Sequence, residues 1–475
     1  MTLDVRPAAS TFHSSSLVTT AASRGTERVL VSEERSLTSV GRRGHVRRRV
    51  ARGGGLACLV AAGLVLAACS SSSKSTTATT AAGGSSASSG GSSASTGAAT
   101  GTTYTIGTIA GVTGPYAASV GGAFKLDTAW EKWTNAHGGV NGHPVDIIQK
   151  DDTGVPATGI SVAKDLFANN DVIAIVGPTS NTENAWQSLI TPAGIAVIGG
   201  QINSIANESI PNVFPTGTTQ SGYGKAILNA LSVVGGKQNV AVLYCTEAPA
   251  CKVQADSIST AATQFAADVN NAKVVYKAAI AGSAPNYTAN CLAAKQAGAD
   301  AMFTSDGASV NLRVYNDCAA QGLKVQIAAS SGSFDPTWLT ASSTAGTQLV
   351  QTDFPHFAKD LPSQQAFQSA IQQYAPDLVG SNLLNGGLSA DWAALEVWKA
   401  AMEKAKTGDH PTRADVLKAM RALPAGFTID GITPPLTYDT AGGVNPPIYC
   451  YFGGTINNGA YATTNGGKSI CPKGN

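Results

Sequence analysis

The sequence predicts an α/β protein with parallel sheets, divided into two lobes. Three observations carry this. From Tyr104 onward, short apolar runs of strand length alternate with stretches in which apolar residues recur at helical spacing. One run, Val172–Val176, is apolar at every position, the pattern of a strand buried on both faces. The 372 residues from Tyr104 to Asn475 exceed what one hydrophobic core serves.

The first element is a strand over 104–112, with Ile106, Thr108 and Ala110 on one face and Gly107, Ile109 and Gly111 on the other. Ala123, Leu126, Trp130 and Trp133 then recur at helical spacing until Gly138-Gly139 stops the run, which places both tryptophans in the core. A strand over 145–150 follows, and Pro156, a residue suited to a first helical position, opens a helix carrying Ile160, Ala163 and Phe167. After the strand over 172–176, a helix holds Ala185, Trp186, Leu189 and Ile190, and a strand spans 195–198. Past Ser221 a helix runs to Gly235-Gly236, and strands follow over 240–244, 273–276, 299–304 and 324–328. In such sheets ligands bind outside the carboxyl ends of the strands. That rule selects the loops 112–116, 151–153, 177–182, 199–203, 245–250, 305–308 and 329–335, whose Gly, Ser, Thr and Asn suit a small polar ligand.

The segment before Tyr104 reads as an address and a tether. Residues 1–52 hold ten arginines against Asp4, Glu27, Glu33 and Glu34, and residues 53–68 are sixteen uncharged, mostly small or apolar positions. Sixteen is short for a bilayer span, which needs roughly 20 residues. A basic region, a short apolar region and small residues at its end describe an export signal over 1–68. The stretch before Val40 is long for such a signal, so initiation near Val40 is expected. Residues 70–103 use only Ser, Thr, Ala, Gly and Lys74, the composition of a flexible tether with an r.m.s. span of about 30 Å.

Charge and motif content narrow the function. The chain carries +2 overall, but after Arg52 the balance is −4, which argues against a nucleic-acid partner. The sequence has no G-x-S-x-G elbow, no H-E-x-x-H and no C-x-x-C, and no G-x-G-x-x-G in the folded part, so neither a hydrolase, a metal site nor a dinucleotide cofactor is expected. His137 and His143 sit in one turn and read as loop histidines. Gly467-Lys468-Ser469 resembles the end of a phosphate loop, but Ala462 stands where its first glycine belongs. Beyond Cys58 and Cys69, six cysteines remain, an even set suited to an oxidising compartment. Six allow fifteen connectivities. Neighbour pairing is the expectation: Cys245 with Cys251, Cys291 with Cys318 and Cys450 with Cys471.

Leu66-Ala67-Ala68-Cys69 followed by Ser70 resembles the lipobox of bacterial lipoproteins, which implies lipidation of Cys69 and anchoring to the outer face of the cell membrane. Gly114-Pro115-Tyr116, then the run from Asn135 through His137-Gly138-Gly139-Val140-Asn141-Gly142-His143-Pro144, then Asp151-Asp152 and Ile175-Val176-Gly177-Pro178-Thr179-Ser180 resemble the branched-chain amino acid and amide binding proteins of ABC importers. Weaker agreement continues through Gly194-Ile195, Ala320-Gln321-Gly322-Leu323-Lys324 and Pro435-Leu436-Thr437-Tyr438-Asp439, so the likeness covers essentially all of the folded part.

The resemblance implies a type I periplasmic-binding-protein fold, two Rossmann-like lobes joined by three hinge crossings. Lobe 1 is placed at 104–217 plus 352–431 and lobe 2 at 218–351 plus 432–475. It further implies a monomer that captures a small polar ligand, an amino acid, amide or small organic acid, for an ABC permease and ATPase. Family members hold a ligand carboxylate with the loops matching Ser180-Asn181-Thr182 and Gln201 to Asn203, and Asn181 stands where a hydroxyl residue is common. Where amino-acid binders place an acid in lobe 2, this chain has Ser330-Ser331-Gly332-Ser333, and Glu247-Ala248-Pro249 replaces the usual aromatic after the strand at Val240. These departures argue against a branched-chain amino acid. Asp306, ahead of Glu247 and Asp335, is the candidate for a charge-assisted bond, and Tyr116 and Phe334 are candidate apolar walls. A sensor of the same fold coupled to a membrane signalling protein is the alternative, and an anchored hydrolase the third reading.

Overall fold

A computed structural model describes residues 97–202, 204–359 and 361–473. The expected export signal, the lipidation expected at Cys69, the expected tether up to residue 96 and Asn203 fall outside the described residues. Among the described residues, no helix is long and apolar enough to cross a membrane.

Two sheets form the frame. The first has β1 (Tyr104–Ala110), β2 (Val145–Asp151), β3 (Val172–Val176), β4 (Ala196–Ile198) and β5 (Val213–Phe214), all parallel, in the order β2-β1-β3-β4-β5. The second has β6 (Asn239–Cys245), β7 (Lys273–Ile280), β8 (Ala301–Ser305), β9 (Gln326–Ser330) and β10 (Gln348–Gln351), also mutually parallel, extended by β11 (Tyr451–Asn457), β12 (Ala460–Thr463) and β13 (Ser469–Ile470). β11 runs antiparallel to β10, β12 and β13, an addition that the alternating strand and helix pattern does not announce.

Strand alternation sends residues into a separate core on each face. In β6, Val240 and Val242 pack against the helix Gln220–Asn229 side, with Tyr223 and Ile227, whereas Ala241 and Leu243 pack with Cys291, Val314 and Trp338. The helix Gly386–Ala405 is the central piece of the first lobe, with Trp392, Leu395, Trp398 and Met402 fully or almost fully buried. Trp130 is buried as expected, but Trp133 is only half-buried and stacks on His137 at 4.0 Å. The helix expected around Trp186 is two short turns, Glu183–Trp186 and Gln187–Leu189. Thr191 precedes Pro192, and a residue before proline is pushed out of the helical region.

The chain passes between the sheets three times, and the crossings are bound side by side. Thr218 donates its amide to the Thr352 carbonyl at 2.9 Å and its hydroxyl to the Cys450 carbonyl at 2.6 Å, while the Thr219 amide donates to Ile448 at 3.0 Å. The third crossing comes later than the sequence reading places it. Ile432, Leu436, Tyr438 and Ile448, assigned above to lobe 2, pack into the core of the first sheet. The Tyr438 hydroxyl donates to Pro215 and the Asn445 amide to Val213, which ties the segment back to β5.

The six cysteines form Cys245–Cys251, Cys291–Cys318 and Cys450–Cys471 disulfides. Arg413, at the start of the helix Arg413–Arg421, spreads its guanidinium over four carbonyls, those of Val172, Ala193, Phe167 and Asn169, at 2.8 to 3.1 Å. A planar five-donor group does this and an ammonium cannot. Arg413→Ala is expected to lower the unfolding free energy by about 2 kcal/mol and Arg413→Lys to recover only part of it, measured by chemical denaturation.

Candidate functional site

The carboxyl ends of both sheets face one cleft of about 420 Å³. The first lobe lines it with Pro115 and Tyr116, the loop after β3, the loop after β4, and the N-terminal turn of the helix Gly386–Ala405. The second lobe contributes the disulfide-closed loop after β6, Ser305 to Gly307 after β8, and Ser330 to Ser333 after β9. Pro215 to Thr218, Thr352 and Asp353 form the wall at the crossings. Six of the seven loops selected from the sequence contribute to this wall, and the loop 151–153 does not.

The structure divides the candidate residues. Tyr116, Asn181, Gln201, Asp306 and Ser331 line the cleft. Ser180 and Thr182 do not. Both hydroxyls donate to Oδ2 of the fully buried Asp152, Thr182 at 2.8 Å, and Oδ1 of Asp152 accepts the Gly154 amide at 2.8 Å. They bind the loop after β3 to the loop after β2 and have no free face toward a ligand. Phe334 is also elsewhere, buried among Trp338, His356, Phe357 and Tyr461 with ring centroids 5.3 to 6.4 Å away.

Thr179, Asp353 and Asp391 are cleft residues that the sequence reading does not single out as ligand contacts. Thr179 is 2% exposed, and its Oγ1, on the cleft wall, has no partner. A bridge pairing Ala110 with Thr179 holds it beside the end of β1. Asp353 follows β10, a strand not recognised in the sequence, so the loop rule could not select it. Asp391 lies one turn into its helix against Gly177, whose φ is +62°. A Cβ on that glycine would meet the Asp391 carboxylate at 1.8 Å, so only glycine fits. Similarly, a Cβ on Gly386 of the first lobe would meet the Ser331 side chain of the second at 2.4 Å, so the absence of a side chain there lets the two lobes approach closely across the cleft.

The electrostatics follow from burial. Burial pushes the Asp353 carboxyl up to about 7, against hydrogen bonds from Thr352 and Thr216 that lower it. Asp391 interacts with Asp127 beneath the cleft; burial raises both carboxyls, Asp127 to about 8, and for Asp391 the neighbouring charge adds to it. Burial also raises Asp306, with the Gly307 amide opposing and Glu247 reinforcing the shift. Glu247 is lowered by the Gly282 amide, which it accepts at 2.7 Å.

Glu183, behind the loop after β4, is buried with Oε1 unpartnered, and burial lifts its carboxyl from 4.5 to about 8. Below pH 4.5 the folded and unfolded chains both hold this proton. As pH rises from 4.5 through 8 the unfolded chain loses it first, so folding stability falls across that window. Glu183→Gln removes this contribution. The variant is expected to lose less stability between pH 5 and pH 9 than the parent, by on the order of a few kcal/mol, in urea titrations at each pH.

Residues 103–460 match the sequence model of the periplasmic binding protein family. The Leu/Ile/Val-binding protein homolog 3 of Brucella melitensis biotype 1 is 24% identical over 358 residues, covering 73% of this chain and 90% of that protein. The fatty acid ABC transporter substrate-binding protein from Thermomonospora curvata is similar in structure, with a TM-score of 0.61 at 19% identity, over 79% of this chain and 93% of that one. So is the branched-chain amino acid transporter substrate binding protein LivJ from Streptococcus pneumoniae in complex with isoleucine, with a TM-score of 0.59 at 17% identity, over 78% and 100% of the two chains. With one parallel and one mixed sheet, three crossings, and a match over residues 103–460, the chain belongs to the periplasmic binding protein family, as a substrate-binding protein of the ABC-transporter type with the type I fold.

Proposed function

We propose that this protein is a lipid-anchored, extracytoplasmic solute receptor that closes its lobes on a small polar ligand and delivers it to an ABC permease and its ATPase. The observation that carries the reading is the cleft itself: strand-end loops of both sheets converge on one cavity of about 420 Å³ at the chain crossings. In this reading lobe 1 comprises 104–217 and 352–448, and lobe 2 comprises 218–351 and 449–475. Tyr116, Thr179, Asn181 and Gln201 contact the ligand from the first lobe, and Asp306 and Ser331 from the second. A ligand that touches both lobes gains contacts in the closed state that it lacks in the open one, and this difference shifts the population toward closure. One structural relative is a fatty acid ABC transporter substrate-binding protein and another is in complex with isoleucine, so this fold accommodates unlike ligands. The cleft wall includes serines and threonines but no histidine among the described residues, which supports capture rather than acyl transfer.

The anchor follows from the sequence at Cys69, and the net charge of −4 after Arg52 supports a partner other than nucleic acid. The protein acts as a monomer at the outer face of the membrane.

A thermal-shift screen of the disulfide-intact chain, freed of bound solute, tests the reading with a panel of amino acids, amides and urea, amines, and aliphatic and aromatic acids. A ligand at a hundred times its Kd is expected to stabilise by about 2.7 kcal/mol. Silence across the panel from a folded protein rejects it. Asn181→Ala combined with Gln201→Ala is expected to weaken the responding ligand at least about tenfold while leaving the ligand-free melting temperature unchanged. Cys69→Ala is expected to move the protein from the membrane fraction to the medium on cell fractionation.

A further inference from the structure

The charge-bearing residue types on the cleft wall are all acidic. Glu247, Asp306, Asp353 and Asp391 stand there, and no lysine, arginine or histidine does among the described residues. Glu247 and Asp306, from neighbouring strand-end loops of the second lobe, converge: their carboxylate oxygens and the Cys245 sulfur all lie within 4.8 Å of one another. Cys245 is committed to its disulfide, so two carboxylates remain. Glu247 accepts the Gly282 amide and Asp306 the Gly307 amide, each at 2.7 Å, which leaves Oδ2 of Asp306 without a partner. Asp353 gives a second, independent sign. It is 4% exposed, and its Oδ1 has no partner either. Buried acceptors without donors are costly, and a ligand that brings N–H groups recovers the loss.

The nearby cation, Arg313, tempers the Asp306 carboxyl by its charge but directs its donors elsewhere. The Arg313 guanidinium donates to the Gly282 and Ala284 carbonyls and to the Tyr287 hydroxyl, and it is not part of the cleft wall. On the opposite side, the hydroxyls of Ser180 and Thr182, which would grip a carboxylate, are consumed by Asp152. What the first lobe offers instead is the Thr179 hydroxyl and the amides of Asn181 and Gln201, together with the carboxyls of Asp353 and Asp391, both raised by burial. An anionic ligand would meet the Glu247 and Asp306 carboxyls with no cation on the cleft wall, an arrangement that disfavours it.

We propose that the ligand is an organic cation without a free carboxylate, its primary ammonium or guanidinium group seated between Glu247 and Asp306. The proposal rests on the reading of the cleft as a solute site. The ammonium or guanidinium hydrogens satisfy Asp306 Oδ2, and the neutral groups of the first lobe close over the remainder of the molecule.

Isothermal titration calorimetry of the disulfide-intact chain, freed of bound solute, uses ethanolamine, putrescine and agmatine as probes against L-isoleucine, octanoate, benzoate and calcium. At least one amine is expected to bind, with an affinity that falls as salt is added. Asp306→Asn and Glu247→Gln are each expected to weaken it at least about tenfold, with unchanged circular dichroism. Binding of isoleucine, octanoate, benzoate or calcium in the absence of any amine response overturns the charge assignment and leaves the solute-binding reading standing. An amine that binds both variants as tightly as the parent overturns its placement. Silence from the whole thermal-shift panel, with the protein folded, overturns both.

Discussion

Asp152 is the interaction on which the first lobe's half of the cleft depends. It is fully buried, and its two oxygens collect the Ser180 hydroxyl, the Thr182 hydroxyl and the Gly154 amide. The Thr182 amide in turn donates to the Ser180 oxygen at 3.1 Å, and the Trp186 indole donates there at 3.4 Å. Charge-assisted bonds to a desolvated carboxylate hold a loop far more firmly than neutral ones. With Ser180 and Thr182 pinned inward, the alternate residues Thr179 and Asn181 stand on the cleft wall. One carboxylate thus fixes the parity of the loop, and parity decides which side chains a ligand meets.

That parity explains what the sequence could and could not reveal. The run Ile175-Val176-Gly177-Pro178-Thr179-Ser180 marks the loop, and the strand-end rule marks its place in the fold. Neither says that Asp152, some thirty residues earlier, takes the hydroxyls for itself. The same limit applies to Phe334: an aromatic beside a strand-end loop reads equally as wall or core, and here Trp338 and Tyr461 claim it for the core. Strands with uninterrupted apolar runs, such as β3 and β6, are legible because burial on both faces leaves no other pattern. β11 is not. Its Gly453-Gly454 interrupts the apolar signal, and it is a strand because β10 and β12 pair with it from either side. The late third crossing was hidden for a related reason. Ile432, Leu436 and Tyr438 follow neither a helical nor a strand period, and side-chain bonds to Pro215 and Val213 hold the segment to the first lobe.

The crossings bring the bonds between the three passes of the chain and a buried, partly unpartnered carboxyl to one place. Thr218, Thr352 and Cys450 are bound to one another across three separate passes of the chain, so the lobes share one axis. Asp353 stands at that axis with one oxygen unpartnered and its carboxyl raised toward neutrality by burial. Burying a charge without a partner costs several kcal/mol in a desolvated site, and keeping a proton is the cheaper solution. In the proposed reading, a ligand that supplies donors at this point changes the balance where the crossings meet, and that contact couples binding to closure.

The two lobes therefore divide the work. The first lobe is a frame, its loops held by Asp152, by the glycine fit of Gly177 against Asp391 and by the Arg413 staple on the strand and helix ends behind it. In the proposed reading the second lobe carries the two carboxyl groups that face the ligand, and the more exposed of them, Glu247, sits inside the loop that the Cys245–Cys251 disulfide closes. Six residues of separation leave that loop little freedom, so the carboxylate is presented in place and loses less entropy when a ligand arrives. Ligand choice within this fold can then change by substitution in one short, covalently closed loop and its neighbour at Asp306, while the hinge and the first lobe stay as they are.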